Sequence, residues 1–305
     1  MNKKISKKDQ KDWDNFLNSK DKLFNKDKSD DNKNFPLVKT IDLHGYSLDD
    51  ANLFIEKFIL KSYEQKYPNK IRAFTTETNL GITGNLNHGL RLCKGEYVAI
   101  QGGDDVFLPG KISSQVQWLQ EVPSRVLCYH DMDVFNNETG ETMWYWSERF
   151  KMRRGNFKNV IMHGAFMCGS SLMCKRSSCK EVYFDERIKI SSDWLFVIDC
   201  LLYSKGSIGY LPDVYGKYRR HDSNVTLSSS YEFDEVMCTL NIINQKYPRT
   251  KSYTSFRAAV AHQIESKRLI SKGEVRIGLK YFVKALIRSP NGFFNGILKY
   301  FHRIL

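Results

Sequence analysis

Two adjacent carboxylates, Asp104 and Asp105, point most plainly to chemistry in this chain. They follow Gly102-Gly103 and precede Pro109-Gly110, so the backbone can turn sharply on both sides and a ligand can come close. Two hard oxygen ligands at the end of a strand suit Mg²⁺ or Mn²⁺ carrying a substrate phosphate. The competing role for such a pair is a solvated turn. A further carboxylate, Asp193, opens a run with apolar residues at helical spacing, Leu195, Ile198, Leu201 and Leu202. It therefore sits at a helix N-terminus, where the dipole favours the ionised form. N-capping is its alternative task there. The third group is Arg219-Arg220-His221. Guanidinium groups bind phosphate oxygens in bidentate fashion, and His221 can complete a cation's ligand set. A basic surface turn is the plainer reading.

These residues need elements to hold them. Tyr97 to Ile100 is a short run of β-formers, as a buried strand requires, and it leads into the acidic pair. Lys111 opens a helix through Ile112, Val116 and Leu119. Val126 to Phe135 reads as a strand, residues 136–141 as a hairpin turn, and Thr142 to Trp146 as its return. Asp131 and Asp133 alternate with Met132 and share one face, read as solvated. Asn79 to Asn85 reads as a loop and Leu86 to Cys93 as a helix. Gly169-Ser170-Ser171 forms a tight turn feeding a strand over 171–174. From Tyr231 onward the pattern is helical, with an αα-hairpin over 256–287 broken at Ser271-Lys272-Gly273.

The ordered set of segments resembles the family-2 nucleotide-sugar glycosyltransferases of the GT-A fold. The resemblance rests on Asn79-Leu80-Gly81-Ile82-Thr83-Gly84-Asn85, Gly95-Glu96-Tyr97 with the acidic pair, Ser192-Asp193-Trp194 and Tyr218-Arg219-Arg220-His221. It runs from about Ser62 to about Thr226. It implies an α/β fold with a GT-A-like mixed sheet and flanking helices, and transfer of a sugar from a nucleotide-diphosphate donor to a hydroxyl acceptor with inversion. It implies Mg²⁺ or Mn²⁺ on Asp104, Asp105 and His221, and Asp193 as general base. Asn79, Gly81, Asn85, Lys111, Gly169, Ser170, Arg219 and Arg220 would line the donor site. The implied acceptor is a surface glycan or a lipid-linked intermediate.

The front of the chain reads differently. Residues 1–38 form a charged arm of low complexity. Over 39–61, the Asp42-Leu43-His44-Gly45 turn and the helix behind it resemble the start of small MutS-related (Smr) nucleic-acid-binding domains. The family's first strand–helix–strand unit, with its base-holding D-D-G-S-like turn, has no counterpart in the sequence. The implied organisation is an arm, an Smr-like segment joined near residues 59–63, a GT-A domain over 62–230 and a basic helical extension over 231–305. An Smr-like nucleic-acid binder and a catalytically inactive fusion are the two alternative functions.

Charge placement narrows the partners. The 305 residues carry a formal net charge of +13. Residues 241–305 hold 13 Lys and Arg against Glu265 and Glu274, so most of the excess lies there. Such a segment implies an anionic surface, lipid or nucleic acid. Residues 292–305 place Phe293, Phe294, Ile297, Leu298, Phe301, Ile304 and Leu305 on one helical face, which reads as a membrane-interface helix. Seven cysteines without a C-x-x-C pair point to reduced thiols. With no 18-residue apolar run and a charged N-terminus, the expected setting is cytoplasmic, peripheral on the inner face of the membrane.

Overall fold

In a computed structural model, the described residues are 78–221, 224 and 232–301, with 64–65, 72–74 and 76. The chain divides into two units, Met1–Thr75 and Thr76–Leu305, and the architecture below belongs to the second. The charged arm and the Smr-like segment lie outside the described residues.

Long strand β3 (Arg125–Asn136) is buried along nearly its whole length, with apolar residues on both faces and His130, Asp131 and Asp133 buried among them. It pairs in parallel with β6 (Ser207–Arg220) and antiparallel with β5 (Met173–Lys175). Short strands β1 (Tyr97–Ala99) and β2 (Val106–Phe107) close the two edges, giving the order β1-β5-β3-β6-β2. β4 (Thr142–Tyr145) returns along the far end of β3, as the turn at 136–141 predicts. The result is a mixed sheet with flanking helices, the GT-A-like α/β class expected.

Helices surround the sheet and its loops. They are α1 (Gly81–Leu92), α2 (Lys111–Glu121), α3 (Trp146–Arg149), α4 (Phe157–His163), α5 (Ser192–Ser204) and α6 (Glu232–Lys246). α5 is apolar nearly all round, with Trp194, Leu195, Phe196, Val197 and Ile198 all buried, so it forms the centre of the main core. α1 begins earlier than the Asn/Gly-rich sequence predicts. The Asn79 side chain accepts the Gly81 N–H at 2.8 Å, and Gly81 takes a left-handed φ of 67°. That local turn starts a helix at a glycine. Asp131 and Asp133 are buried, not solvated. Asp131 accepts from the Ser147 N–H at 2.9 Å at the start of α3, and Asp133 pairs with Lys217 at 2.9 Å.

The C-terminal helices are α7 (Lys251–Ser271), α8 (Val275–Arg288) and α9 (Pro290–Phe301). α7 and α8 form the predicted hairpin. The start of α9 is docked rather than free: Phe293 is buried, and its carbonyl accepts from the Gln263 side chain at 2.6 Å. Gly292 lies against the α7 backbone, where an added Cβ would be 2.7 Å from the Phe256 oxygen. The expected membrane face over 292–305 therefore gives up Phe293 to the core. Phe294 points outward, and residues 302–305 lie outside the described residues.

Candidate active site

The acidic pair lies on the turn between β1 and β2, and its two members do different work. Asp105 is buried. One of its oxygens accepts from the Ser170 hydroxyl, and the other accepts the Arg219 N–H at 3.0 Å. Ser170 in turn accepts the Gly102 N–H at 2.8 Å. Burial pushes the Asp105 carboxyl above the usual range, and the bonds from Ser170 and Arg219 oppose this. Gly102 has no room for a side chain: a Cβ would sit 3.1 Å from an oxygen of each aspartate. Asp104 is exposed instead, with His221 Nε2 3.1 Å from its Oδ2. Asp105 thus braces the turn and Asp104 faces outward.

Strand β6 brings the basic group here. β2 pairs with Gly216 and Lys217, which lays the end of β6 along the acidic turn. Arg219 Nε donates to the Asp104 carbonyl at 2.8 Å and Nη1 donates to Asn137 at 3.0 Å, while the guanidinium lies over the Phe135 ring. The carbonyl of Arg220 accepts the Asn137 N–H at 3.0 Å. The His221 N–H donates to Asn224 at 2.8 Å, so the backbone is folded back at the strand's end.

Asp193 lies on the other side of the turn formed by Cys168, Gly169 and Ser170. A Cβ on Gly169 would come within 3.3 Å of Asp193 Oδ2. Asp193 is half-buried in the first turn of α5, and its Oδ1 accepts the Trp194 N–H at 2.8 Å. Burial pushes its carboxyl up to about 6, with the Trp194 bond opposing and the charge of Glu235 adding to the rise.

Lys111 departs from the donor-site role expected of it. It is wholly buried: its ammonium meets His130 Nε2 at 2.8 Å and donates to the Ser170 carbonyl at 3.2 Å. Burial lowers it to about 8, and burial together with Lys111 holds His130 down to about 3. Lys111 therefore supports the Ser170 turn from beneath. Asn79, Gly81 and Asn85 are exposed at the start of α1, where the Asn79 side chain is engaged in its own turn. Buried Thr83 ties that helix to the start of α5, donating to the Ile188 carbonyl at 2.7 Å with Ser192 Oγ at 3.2 Å.

Glu235 on α6 escapes sequence reasoning. Its carboxylate accepts the N–H groups of Lys189, Ile190 and Ser191 at 2.7–3.1 Å, fixing the loop that delivers Asp193. A lone glutamate in an ordinary helical pattern gives no signal of this.

The donor set fits a hard divalent cation only as a shared ligand. Among the described residues no group of three or more His, Cys, Asp or Glu converges as a cation cage. Asp104 and His221 supply one carboxylate and one imidazole. Mg²⁺ sites commonly use one or two carboxylates, with substrate phosphates and water completing the shell.

Fold and site define a GT-A-like α/β domain with an outward-facing carboxylate, a basic strand end and a carboxylate of raised pKa about one turn. Residues 49–183, somewhat under half of the chain, match the family described as glycosyl transferase family 2. The match starts ahead of Ser62, so the glycosyltransferase pattern takes in part of the segment read as Smr-like. An uncharacterized protein of Mycobacterium tuberculosis is 27% identical over 57% of this chain and 49% of its own length. An uncharacterized glycosyltransferase of Methanocaldococcus jannaschii is 27% identical over 50% of this chain and 52% of its own. The chain thus spans about half the length of these relatives. The fold is similar to that of S. aureus TarS 1-349, crystallised in complex with UDP-GlcNAc, with a TM-score of 0.50 and 16% identity. That likeness covers 74% of this chain and 68% of TarS 1-349.

Proposed function

We propose that this chain is a nucleotide-sugar glycosyltransferase that moves a hexose from a nucleotide diphosphate to a hydroxyl acceptor with inversion. One observation carries the reading: Asp104, Asp105, Asp193, Arg219 and His221, distant in sequence, come together beside the Cys168–Ser170 turn. Asp104 and His221 would hold Mg²⁺ or Mn²⁺ together with the donor. When bound, such a cation offsets the charge left on the diphosphate. Arg219 and Arg220, at the same strand end, grip the phosphates. Asp105 holds Ser170 and the Arg219 backbone in place and is a positioning residue.

Asp193 takes the proton of the acceptor hydroxyl. As that oxygen bonds to the anomeric carbon, the bond from this carbon to the diphosphate oxygen breaks, and the nucleotide diphosphate leaves with the electron pair. The configuration at the carbon inverts. A carboxyl near 6 suits a general base, since proton transfer is favoured when the acceptor's pKa lies near the working pH. Family resemblance supports a surface glycan or lipid-linked acceptor.

UDP-GlcNAc, the compound bound to TarS, is the first donor to try, beside GDP- and dTDP-sugars. Calorimetry with each donor, with and without Mn²⁺, tests the reading. Cation-dependent binding that is lost in Asp104→Ala is expected. Absence of binding to every donor in the presence of Mn²⁺ would overturn it.

A further inference from the structure

α8 reverses the usual arrangement of an amphipathic helix. Its buried residues are the small ones, Gly278 and Ala285. Gly278 lets the helix lie tight on α7: a Cβ there would come 2.5 Å from Ile270, and the Gly278 carbonyl accepts the Ser266 hydroxyl at 2.7 Å. The large apolar residues face outward instead. Val275, Leu279, Phe282, Val283 and Leu286 are all between 40% and 54% exposed. They recur at helical spacing and make one stripe, which a helix facing a core would bury. Phe282 packs edge-on against Phe293, whose neighbour Phe294 is 58% exposed, so the apolar surface continues onto α9.

A row of cations flanks the stripe. Arg276, Lys280, Lys284 and Arg288 follow one another at four-residue intervals, all exposed, and residues 275–288 contain no acid. The apolar stripe and the cationic row sit side by side along the helix axis.

We infer that the exposed face of α8, extended by Phe294, seats this protein on an anionic lipid surface. An apolar stripe with cations along its edge matches a layer of acyl chains beneath negative headgroups. A second copy packed antiparallel on the same face fits worse, because that two-fold arrangement would bring the cationic rows together. The helix lies on the surface rather than crossing it, since no helix among the described residues is long and apolar enough to span a bilayer. The inference does not depend on the reaction at Asp193.

The test is vesicle flotation of the full chain at low and high salt. The probes are phosphatidylcholine vesicles and phosphatidylcholine–phosphatidylglycerol vesicles. The wild type floats with the anionic vesicles only and is released as salt rises. Lys280→Ala with Lys284→Ala removes two exposed charges and weakens partitioning roughly 30-fold. Leu279→Ser with Val283→Ser also abolishes flotation, with an unchanged circular dichroism spectrum. All four side chains are exposed, so neither variant touches the core. Flotation insensitive to both double variants, equal binding to neutral vesicles, or no flotation at all overturns the inference. So does a concentration-dependent dimer in sedimentation that Leu279→Ser with Val283→Ser dissolves.

Discussion

Replacing Asp193 by Asn separates its chemical role from its structural one. The amide oxygen of Asn can still accept the Trp194 N–H, the bond that Asp193 Oδ1 makes at 2.8 Å. The helix start is therefore kept and only the proton acceptor is lost. The carboxyl titrates near 6 in the fold against an ordinary value of 3.8. That difference is about 3 kcal/mol between its two protonation states. The sign follows from linkage. With the folded pKa raised, the native state binds more protons than the unfolded chain between about pH 4 and 6, so this group's contribution is full below the unfolded value and lost as pH rises through about 6.

At neutral pH the wild type carries an ionised carboxylate that the fold disfavours, and the amide of the variant removes that cost. Asp193→Asn should therefore be as stable as wild type near pH 4 and up to about 3 kcal/mol more stable at pH 7, a rise of several degrees in Tm. Its kcat should fall by ~10²–10⁴-fold, the usual worth of a general base. The wild-type kcat should rise with pH through about 6, and the variant's residual rate should lose that limb. Thermal melts at pH 4 and 7, beside the pH profile of transfer, measure all of this. A variant that is less stable at pH 7 with kcat unchanged would reduce Asp193 to a structural cap and refute the reasoning.

The two aspartates of the acidic turn should separate in the same way. Asp104→Ala should abolish cation-dependent donor binding in calorimetry with little change in Tm. Asp105→Ala, which strands the buried Ser170 hydroxyl and the Arg219 N–H, should lower stability by roughly 1–3 kcal/mol per orphaned group as well as activity. Cation and donor should bind cooperatively, because Asp104 and His221 are too few to hold Mn²⁺ alone. Tight Mn²⁺ binding without nucleotide would contradict this, as would full turnover in EDTA.

How much of this is legible in the sequence varies with the range of the forces involved. Local signals are plain. The glycines before Asp104, the apolar spacing after Asp193 and the break at 271–273 each announce a feature made within a few residues. Sequence reasoning fails where a distant partner decides the role. Lys111 reads as a helix-opening cation at the donor site, yet Ser170 and His130, remote in sequence, draw it into the interior. Asp131 and Asp133 alternate as a wet strand face would, but α3 and Lys217 cover and satisfy them. Glu235 gives no local sign of holding the loop before Asp193.

The same logic explains why the acidic pair cannot be divided from sequence. Asp104 and Asp105 are equivalent as letters in a row. What distinguishes them is the carboxylate that Ser170 and the Arg219 backbone reach first, after β6 has returned along β2. Satisfying both oxygens of Asp105 fixes the turn, and a fixed turn holds Asp104 beside His221 without reorganisation. Pre-set geometry of this kind favours affinity, because a donor binding here need not order the loop first. Ser170→Ala tests the coupling. It removes the hydroxyl that bridges Asp105 and the Gly102 N–H, and leaves Asp104 and His221 in place. It should nonetheless raise KM for the donor, and Ser170→Thr, which restores a hydroxyl, should recover part of the loss. Donor binding indifferent to Ser170→Ala would mean that Asp104 needs no brace.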